Sequence, residues 1–264
     1  MGFIDYIKLL RPPLLFLGVL APFSLMVHYG KWGGMEGWFI LLAIAFGNTA
    51  FNIFNEVTDK EADKILKPWK PIPSGKVNPR FARLVGYISL AISYIFICLL
   101  SFYYNLLYLY LGVAGYITGM IYNHLQMRDL GGNIALGLTY GIAAYIATYP
   151  EGRLFVFGWM LLVIGFNIAV QLQDVEGDRK AGIYTIPQQI GINPSRILSA
   201  MLVIFSLPFF YLELSSCPLQ FMCFMFVAYC VVLGVLINKE RDYERIVRFW
   251  GRLFMILGFL GLLL

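Results

Sequence analysis

Residues Asn48-Thr49-Ala50-Phe51-Asn52-Ile53-Phe54-Asn55-Glu56-Val57-Thr58-Asp59 and Asn167-Ile168-Ala169-Val170-Gln171-Leu172-Gln173-Asp174-Val175-Glu176-Gly177-Asp178 carry the same polar pattern. Asn48, Asn52, Asn55 and Asp59 are matched by Asn167, Gln171, Asp174 and Asp178, each 119 positions later. On an α-helix, positions 0, 4, 7 and 11 fall within an arc of about 60°. Each stretch therefore puts four polar groups on one stripe of a helix whose remaining faces are apolar. Polar residues inside apolar helices are costly in a bilayer, so a repeated stripe marks a place where they are used.

The surrounding sequence supports the bilayer. Of 264 residues, 59% are hydrophobic and 13% charged, too few polar residues to cover a water-soluble domain of this size. Apolar stretches of about spanning length fall at 13–29, 36–57, 81–102, 104–122, 131–149, 154–173, 197–213, 218–237 and 249–264, which predicts an all-α membrane protein of nine transmembrane helices. With the N-terminus cytoplasmic, 18 of the 20 Lys and Arg residues lie in inner segments and only Lys31 and Arg153 lie outside, the bias expected of cytoplasmic loops. Adding or losing one early helix would reverse that arrangement. The C-terminus is then outside, and no removable signal peptide is evident, because the first apolar stretch follows Arg11-Pro12-Pro13 without a small-residue cleavage site.

The loops after the stripes repeat as well. Ile72-Pro73 and Asn78-Pro79-Arg80 correspond to Ile186-Pro187 and Asn193-Pro194-Ser195-Arg196. The chain reads as one domain built from two four-helix repeats, about 13–122 and 131–237, with a ninth helix at about 249–264. An axis near the membrane normal would bring both stripes to one cavity. Asn48, Asn52, Asn167 and Gln171 also suit a plainer role, hydrogen bonds that hold membrane helices together. That role does not explain Asp59, Asp63, Asp174 and Asp178, which crowd the C-terminal ends of helices where the macrodipole disfavours carboxylates. Bound cations do explain them. Oxygen donors without a histidine cluster point to Mg²⁺ held jointly with substrate phosphates. Lys60, Lys64, Lys67, Lys70, Arg128, Arg179 and Lys180 lie on the same membrane face, where a diphosphate needs further neutralisation, while the cations from 239 to 252 read as a headgroup-facing loop. No continuous basic face suits nucleic acid, and the net charge of +5 fits anionic headgroups or an anionic substrate. Cys98, Cys223 and Cys230 lie in predicted spans and Cys217 at the edge of one, all without ligand spacing, so neither zinc nor disulfides are indicated.

These residues resemble the UbiA superfamily of intramembrane prenyltransferases over nearly the whole chain. Asn55-Glu56-Val57-Thr58-Asp59-Lys60-Glu61-Ala62-Asp63 is similar to the family's N-D-x-x-D-x-x-x-D motif, and Lys67-Pro68-Trp69-Lys70-Pro71-Ile72-Pro73-Ser74-Gly75 to the R-P-I-P-S-G segment that follows it. Asp174-Val175-Glu176-Gly177-Asp178-Arg179-Lys180-Ala181-Gly182 is similar to D-x-E-G-D-x-x-x-G, and Leu10-Arg11-Pro12 to a short N-terminal R-P element. Two departures stand out: Glu56 replaces the usual Asp, and the Y-x-x-x-K element beginning at Tyr122 ends in Gln126, with Arg128 a candidate replacement for its lysine.

The resemblance implies a helical bundle with a central cavity and two Mg²⁺ ions, with Mn²⁺ as a substitute. The metals are expected on Asn55, Asp59, Asp174 and Asp178. Asp63 and Tyr122 join these four as expected catalytic residues. Lys67, Lys70, Arg128, Arg179, Lys180 and Arg11 are expected to bind the diphosphate. Ionisation would leave an allylic cation, which Tyr116, Tyr122, Tyr140 and Phe166 could face beneath a lid formed by loops 60–80 and 179–195. The expected partners are a prenyl diphosphate donor, membrane lipids and a small acceptor. The first reading of the acceptor is an aromatic compound of a quinone pathway, and the alternative is a glycerol-phosphate ether lipid such as geranylgeranylglyceryl phosphate. Nothing in the sequence names a protein partner. A transporter is the rival from another class, but the carboxylates sit at the inner surface and no predicted helix breaks in its middle. A CDP-alcohol phosphotransferase is disfavoured, because its D-G-x-x-A-R…G-x-x-x-D-x-x-x-D pattern is absent.

Overall fold

A computed structural model describes residues 8–123, 127–236 and 244–263. Among them the regular structure is helical, with no strand and one isolated parallel bridge between Arg128 and Thr185. The helices are α1 (Pro12–His28), α2 (Gly34–Thr58), α3 (Lys60–Leu66), α4 (Pro79–Tyr103), α5 (Leu107–Asn123), α6 (Leu130–Thr148), α7 (Arg153–Lys180), α8 (Ile186–Ile190), α9 (Ile192–Glu213) and α10 (Pro218–Leu236). A π-helical segment, Glu244–Gly251, then runs into α11 (Arg252–Gly261).

Six of the described helices, α2, α4, α6, α7, α9 and α10, are long and apolar enough to cross a membrane. The apolar parts of α1 and of the last helical segment are shorter, Phe16–His28 and Phe249–Gly261, and α5 has 17 residues. Among the described residues each expected stretch lies mostly within a helix, and six of these helices meet the length criterion. Two short helices, α3 and α8, occupy loops that the sequence left without structure.

Local chemistry sets several of the boundaries. Asn78 caps α4 by accepting a hydrogen bond from the backbone N–H of Arg80 at 2.8 Å, and Pro79 supplies the first helical residue. Asp129 caps α6 through the N–H of Gly132 at 2.9 Å. A Cβ on Gly132 would overlap the backbone carbonyl of Met127, so this tight entry to α6 requires glycine. The chain does not stop at the end of α2: Asp63 N–H bonds to Asp59 C=O at 2.8 Å, and α3 continues directly from the stripe.

α2 packs along α4, and α7 along α9, more extensively than any other pairs. At each of these interfaces a buried serine hydroxyl donates to a backbone carbonyl, Ser93 to Ala43 at 2.6 Å and Ser199 to Gly165 at 2.7 Å. Such bonds matter between membrane helices, where lipid removes most of the hydrophobic drive to associate. The largest buried side chains include Phe155, Phe210, Phe224 and Phe259. These aromatic rings join α7, α9, α10 and α11, with centroids 4.6 Å apart for Phe210 and Phe224 and 5.5 Å apart for Phe224 and Phe259. At the helix ends remote from the carboxylates, Tyr29 donates to Glu213 at 2.7 Å and Tyr108 to Glu36 at 2.8 Å, while Lys31 pairs with Glu151 at 2.9 Å. The two stripes thus lie on long helices held against different partners and tied at the opposite end of the bundle.

Candidate active site

The stripes meet at a cavity of about 900 Å³. Asn48, Asn52, Asn55 and Asp59 border it from α2 and its end, and Asn167, Gln171, Asp174 and Asp178 border it from α7. From Asp59 to Ile44, another lining residue, α2 descends about 22 Å at 1.5 Å per residue. The cavity therefore has a carboxylate-lined end and a long apolar body. Tyr116, Tyr122, Tyr140 and Phe166, the four rings expected to face an allylic cation, all line it, together with Trp159, Ile142 and Ile146.

At the carboxylate end Glu56, Asp59, Asp63 and Asp174 are paired with internal cations. Arg128 Nη2 donates to Asn55 Oδ1 at 2.7 Å and to Asp59 Oδ1 at 2.9 Å. Lys67 Nζ lies 3.2 Å from Asp174 Oδ2 and 4.0 Å from Asp63 Oδ1. Lys70 Nζ lies 2.6 Å from Asp63 Oδ2 and 3.0 Å from Glu56 Oε1, which also forms an ion pair with Arg11. Burial raises the Asp63 carboxyl above the ordinary aspartate range, against the downward pull of Lys70 and Lys67. Burial alone would favour a neutral Arg128 guanidine, but Tyr122 and Asp59 outweigh it and the group is held charged. Its carbon sits 3.9 Å from the centroid of the Tyr122 ring.

Most of the expected site residues come together here. Asn55, Asp59, Asp63, Asp174, Asp178, Tyr122, Lys67, Lys70, Arg128 and Arg11 all border the cavity. Arg179 and Lys180 do not: they stand exposed on the last turn of α7. One and two residues beyond Asp178, they are turned about 100° and 200° from its stripe. Lys60 and Lys64 pair with Glu61 away from this cavity. Glu56 is buried and does not border the cavity. It holds Arg11 and Lys70 in place, which gives the longer carboxylate a role apart from metal ligation. Gln126 lies outside the described residues.

Three neighbours were not legible as site residues. Arg252, grouped by sequence with the headgroup-facing cations, borders the cavity, as does Tyr94. Asn133 on α6 is fully buried beside Arg128. An asparagine within the apolar run 131–149 was the available signal, but it has no polar counterpart 119 positions earlier, where Leu14 stands.

Among the described residues, no three His, Cys, Asp or Glu side chains form a ready-made metal cage. The donor set still suits Mg²⁺, an ion that keeps several waters and is bound through one or two carboxylates together with substrate phosphates. Asn55 with Asp59 and Asp174 with Asp178 offer such oxygen pairs; Arg128 now lies on the first pair and Lys67 on Asp174.

Comparison with known proteins gives a family and a fold. A family model described as the UbiA prenyltransferase family matches residues 14–259. The digeranylgeranylglyceryl phosphate synthase of Methanobrevibacter smithii is 23% identical over 244 residues, covering 87% of this chain and 82% of the relative. The Methanothermobacter thermautotrophicus protein of the same name is 30% identical over 204 residues, with 74% and 70% covered. The solved structure of a UbiA homologue from Archaeoglobus fulgidus bound to GPP and Mg²⁺ shares the fold at a TM-score of 0.65 and 17% identity, covering 98% of this chain and 100% of that one.

Proposed function

The chain belongs to the UbiA prenyltransferase family and is an integral membrane prenyltransferase, and from that premise we propose that it transfers a prenyl group from a prenyl diphosphate to the hydroxyl of a glycerol-phosphate ether lipid. The observation that carries the reading is the convergence of two carboxylate stripes and three internal cations, Arg128, Lys67 and Lys70, at one end of a long apolar cavity. The family match sets aside the transporter and the phosphotransferase. The acceptor is revised: the aromatic compound favoured from sequence has no support among the relatives, whose shared name, digeranylgeranylglyceryl phosphate synthase, favours the ether-lipid alternative.

In this reading all nine apolar helices span the membrane as two four-helix repeats and one addition. The N-terminus and the carboxylate end are cytoplasmic, and the C-terminus is outside. Asn55/Asp59 and Asp174/Asp178 hold two Mg²⁺ ions, with Mn²⁺ a substitute. The bound metal supplies charge neutralisation that makes the diphosphate a good leaving group. The chain's own residues supply the rest. As the phosphates take their place, Arg128 and Lys67 turn from the carboxylates to phosphate oxygens, joined by Lys70 and Arg11. The rings of Tyr116, Tyr122, Tyr140 and Phe166 face the allylic cation left when the carbon–oxygen bond breaks. Apolar side chains around the tail keep water from it. The acceptor oxygen then bonds to the cationic carbon and gives up its proton to the released diphosphate.

The test is direct. Purified protein is supplied with Mg²⁺, radiolabelled geranylgeranyl diphosphate and either geranylgeranylglyceryl phosphate or a hydroxybenzoate, and the products are separated by chromatography. Labelled product is expected from the ether lipid. Product from the hydroxybenzoate alone would restore the aromatic reading.

A further inference from the structure

Arg128 is 6% exposed, and its side-chain bonds do not account for where its backbone lies. Its carbonyl accepts hydrogen bonds from Asn133 Nδ2 at 3.0 Å and from Gln171 Nε2 at 3.1 Å, and its backbone bridges to Thr185. Three residues of the second half therefore pin the backbone of an arginine whose guanidinium reaches Asn55 and Asp59 of the first.

Asn133 has a further connection. Its Nδ2 also donates to the Asp129 carbonyl at 2.8 Å, and its Oδ1 accepts from Asn167 Nδ2 at 2.7 Å. Asn167 in turn lies 3.2 to 3.3 Å from the Tyr122 hydroxyl, and the Tyr122 ring stacks against the Arg128 guanidinium. Both ends of the Asn133 amide thus lead to Arg128, one through its backbone and the other through Asn167 and Tyr122. Asn133 has no exposure and does not border the cavity, so it reaches a ligand only through its partners.

We propose that Asn133 is a positioning residue for the donor diphosphate, fixing the Arg128 backbone and the Tyr122 ring beside it so that the guanidinium, now on the first stripe, stays within reach of phosphates bound there. The proposal rests on the reading of Arg128 as a diphosphate ligand. Its physical basis is that a charged group displaced by about 1 Å loses much of its aligned interaction with an anion. An amide is required at position 133, because Nδ2 faces two carbonyl oxygens while Oδ1 faces a donor. Asn133→Asp keeps the shape but sets an oxygen against those two carbonyls.

The experiment is a double-mutant cycle on affinity for geranyl diphosphate with Mg²⁺, measured by calorimetry on detergent-solubilised protein without acceptor. Arg128→Ala should weaken binding about tenfold or more, the scale of a lost charge-assisted hydrogen bond. Asn133→Ala and Asn133→Asp should each weaken it several-fold in the native background and add nothing where Arg128 is already alanine. Where truncation to alanine gives no folded protein, Asn133→Ser completes the same cycle. Losses that add in full would overturn the positioning role and make Asn133 a packing residue. Unchanged affinity in Arg128→Ala alone would instead overturn the premise that Arg128 binds the diphosphate, so the two failures are told apart.

Discussion

Lys67 Nζ lies 3.2 Å from Asp174 Oδ2, which rests a cation from the segment after α3 on the carboxylate stripe of α7. The two residues are 107 positions apart in the chain and belong to different halves of the sequence repeat. Arg128 does the converse, with its backbone held by second-half residues and its guanidinium on Asn55 and Asp59. Each stripe thus has one carboxylate paired with a cation supported from outside its own helix. A carboxylate cluster at helix C-termini needs such compensation, since burial and the helix dipole both disfavour its charge.

If Arg128 and Lys67 hold the oxygens that a metal would use, they compete with a metal that arrives alone. Arg128→Gln and Lys67→Met should each tighten binding of Mn²⁺ in the absence of diphosphate, by up to about tenfold. The same substitutions should weaken metal-dependent binding of geranyl diphosphate, because the phosphates lose a cation. Electron paramagnetic resonance of free Mn²⁺ measures the first effect and calorimetry the second. Metal-only affinity that stays the same in both variants would mean that these oxygens are not the metal ligands.

The raised pKa of Asp63 fixes the sign of a pH effect on stability. A carboxyl whose folded pKa lies above its unfolded value stabilises the fold when protonated and loses that contribution as pH rises through the folded pKa. Ionising the buried Asp63 is therefore a cost that its bond to Lys70 at 2.6 Å offsets in part. Asp63→Asn should melt no lower than the native protein at pH 7, and its advantage should shrink as the buffer is acidified toward the ordinary aspartate range. An advantage that instead grows on acidification would contradict this assignment.

The stripes were legible because polar residues in apolar helices are expensive, and their recurrence 119 positions apart exposed them without any structure. The convergence of Asp59, Asp174, Lys67 and Arg128 followed from treating the two halves as equivalent. What stayed hidden has specific causes. α3 and α8 run for 7 and 5 residues, too short to show a periodic pattern among charges and prolines. Arg179 and Lys180 looked like phosphate ligands by proximity in sequence, although the helical rotation turns them away. Asn133 escaped notice because its effect passes through the Arg128 carbonyl, and a backbone contact leaves no motif. The acceptor was the least legible feature: Gln126 removed the expected lysine without pointing to a substitute substrate, and the acceptor proposed above rests on the names of relatives and not on residues of this chain.

Topology can be tested from two exposed serines. Ser74 lies between α3 and α4, and Ser216 between α9 and α10. In the nine-span arrangement they face opposite sides of the membrane. Single cysteines placed there, after removal of Cys98, Cys217, Cys223 and Cys230, should react with an impermeant thiol reagent from opposite faces of oriented vesicles. Labelling of both from one side would require a different number of spans.

The two-stripe arrangement makes its sharpest prediction at Asp59 and Asp178, which end the equivalent series on α2 and α7. If each completes one of two metal sites around a shared diphosphate, Asp59→Asn and Asp178→Asn should each abolish nearly all ionisation of the donor. Their effects should not add, because a diphosphate deprived of one metal is already too poor a leaving group for the second loss to matter. Stability should respond differently. Asparagine at position 59 keeps an oxygen for Arg128 Nη2, which now donates to Asp59 Oδ1 at 2.9 Å, and removing a negative charge from a helix C-terminus is neutral or favourable. Both variants should therefore melt close to the native protein. Asn48→Ala and Asn167→Ala, deeper on the same faces, should behave in the opposite way. Asn167 bridges the Tyr122 hydroxyl and Asn133 Oδ1, at 3.2 Å and 2.7 Å, so its loss should cost about 1–3 kcal/mol of stability while leaving metal-dependent donor binding measurable. Donor hydrolysis and melting temperature in detergent, measured across the four single variants and the Asp59/Asp178 double variant, separate these outcomes. Full donor ionisation in either aspartate variant, or a large fall in melting temperature in both, would show that the matched stripes are packing features and that two metals do not share the diphosphate between them.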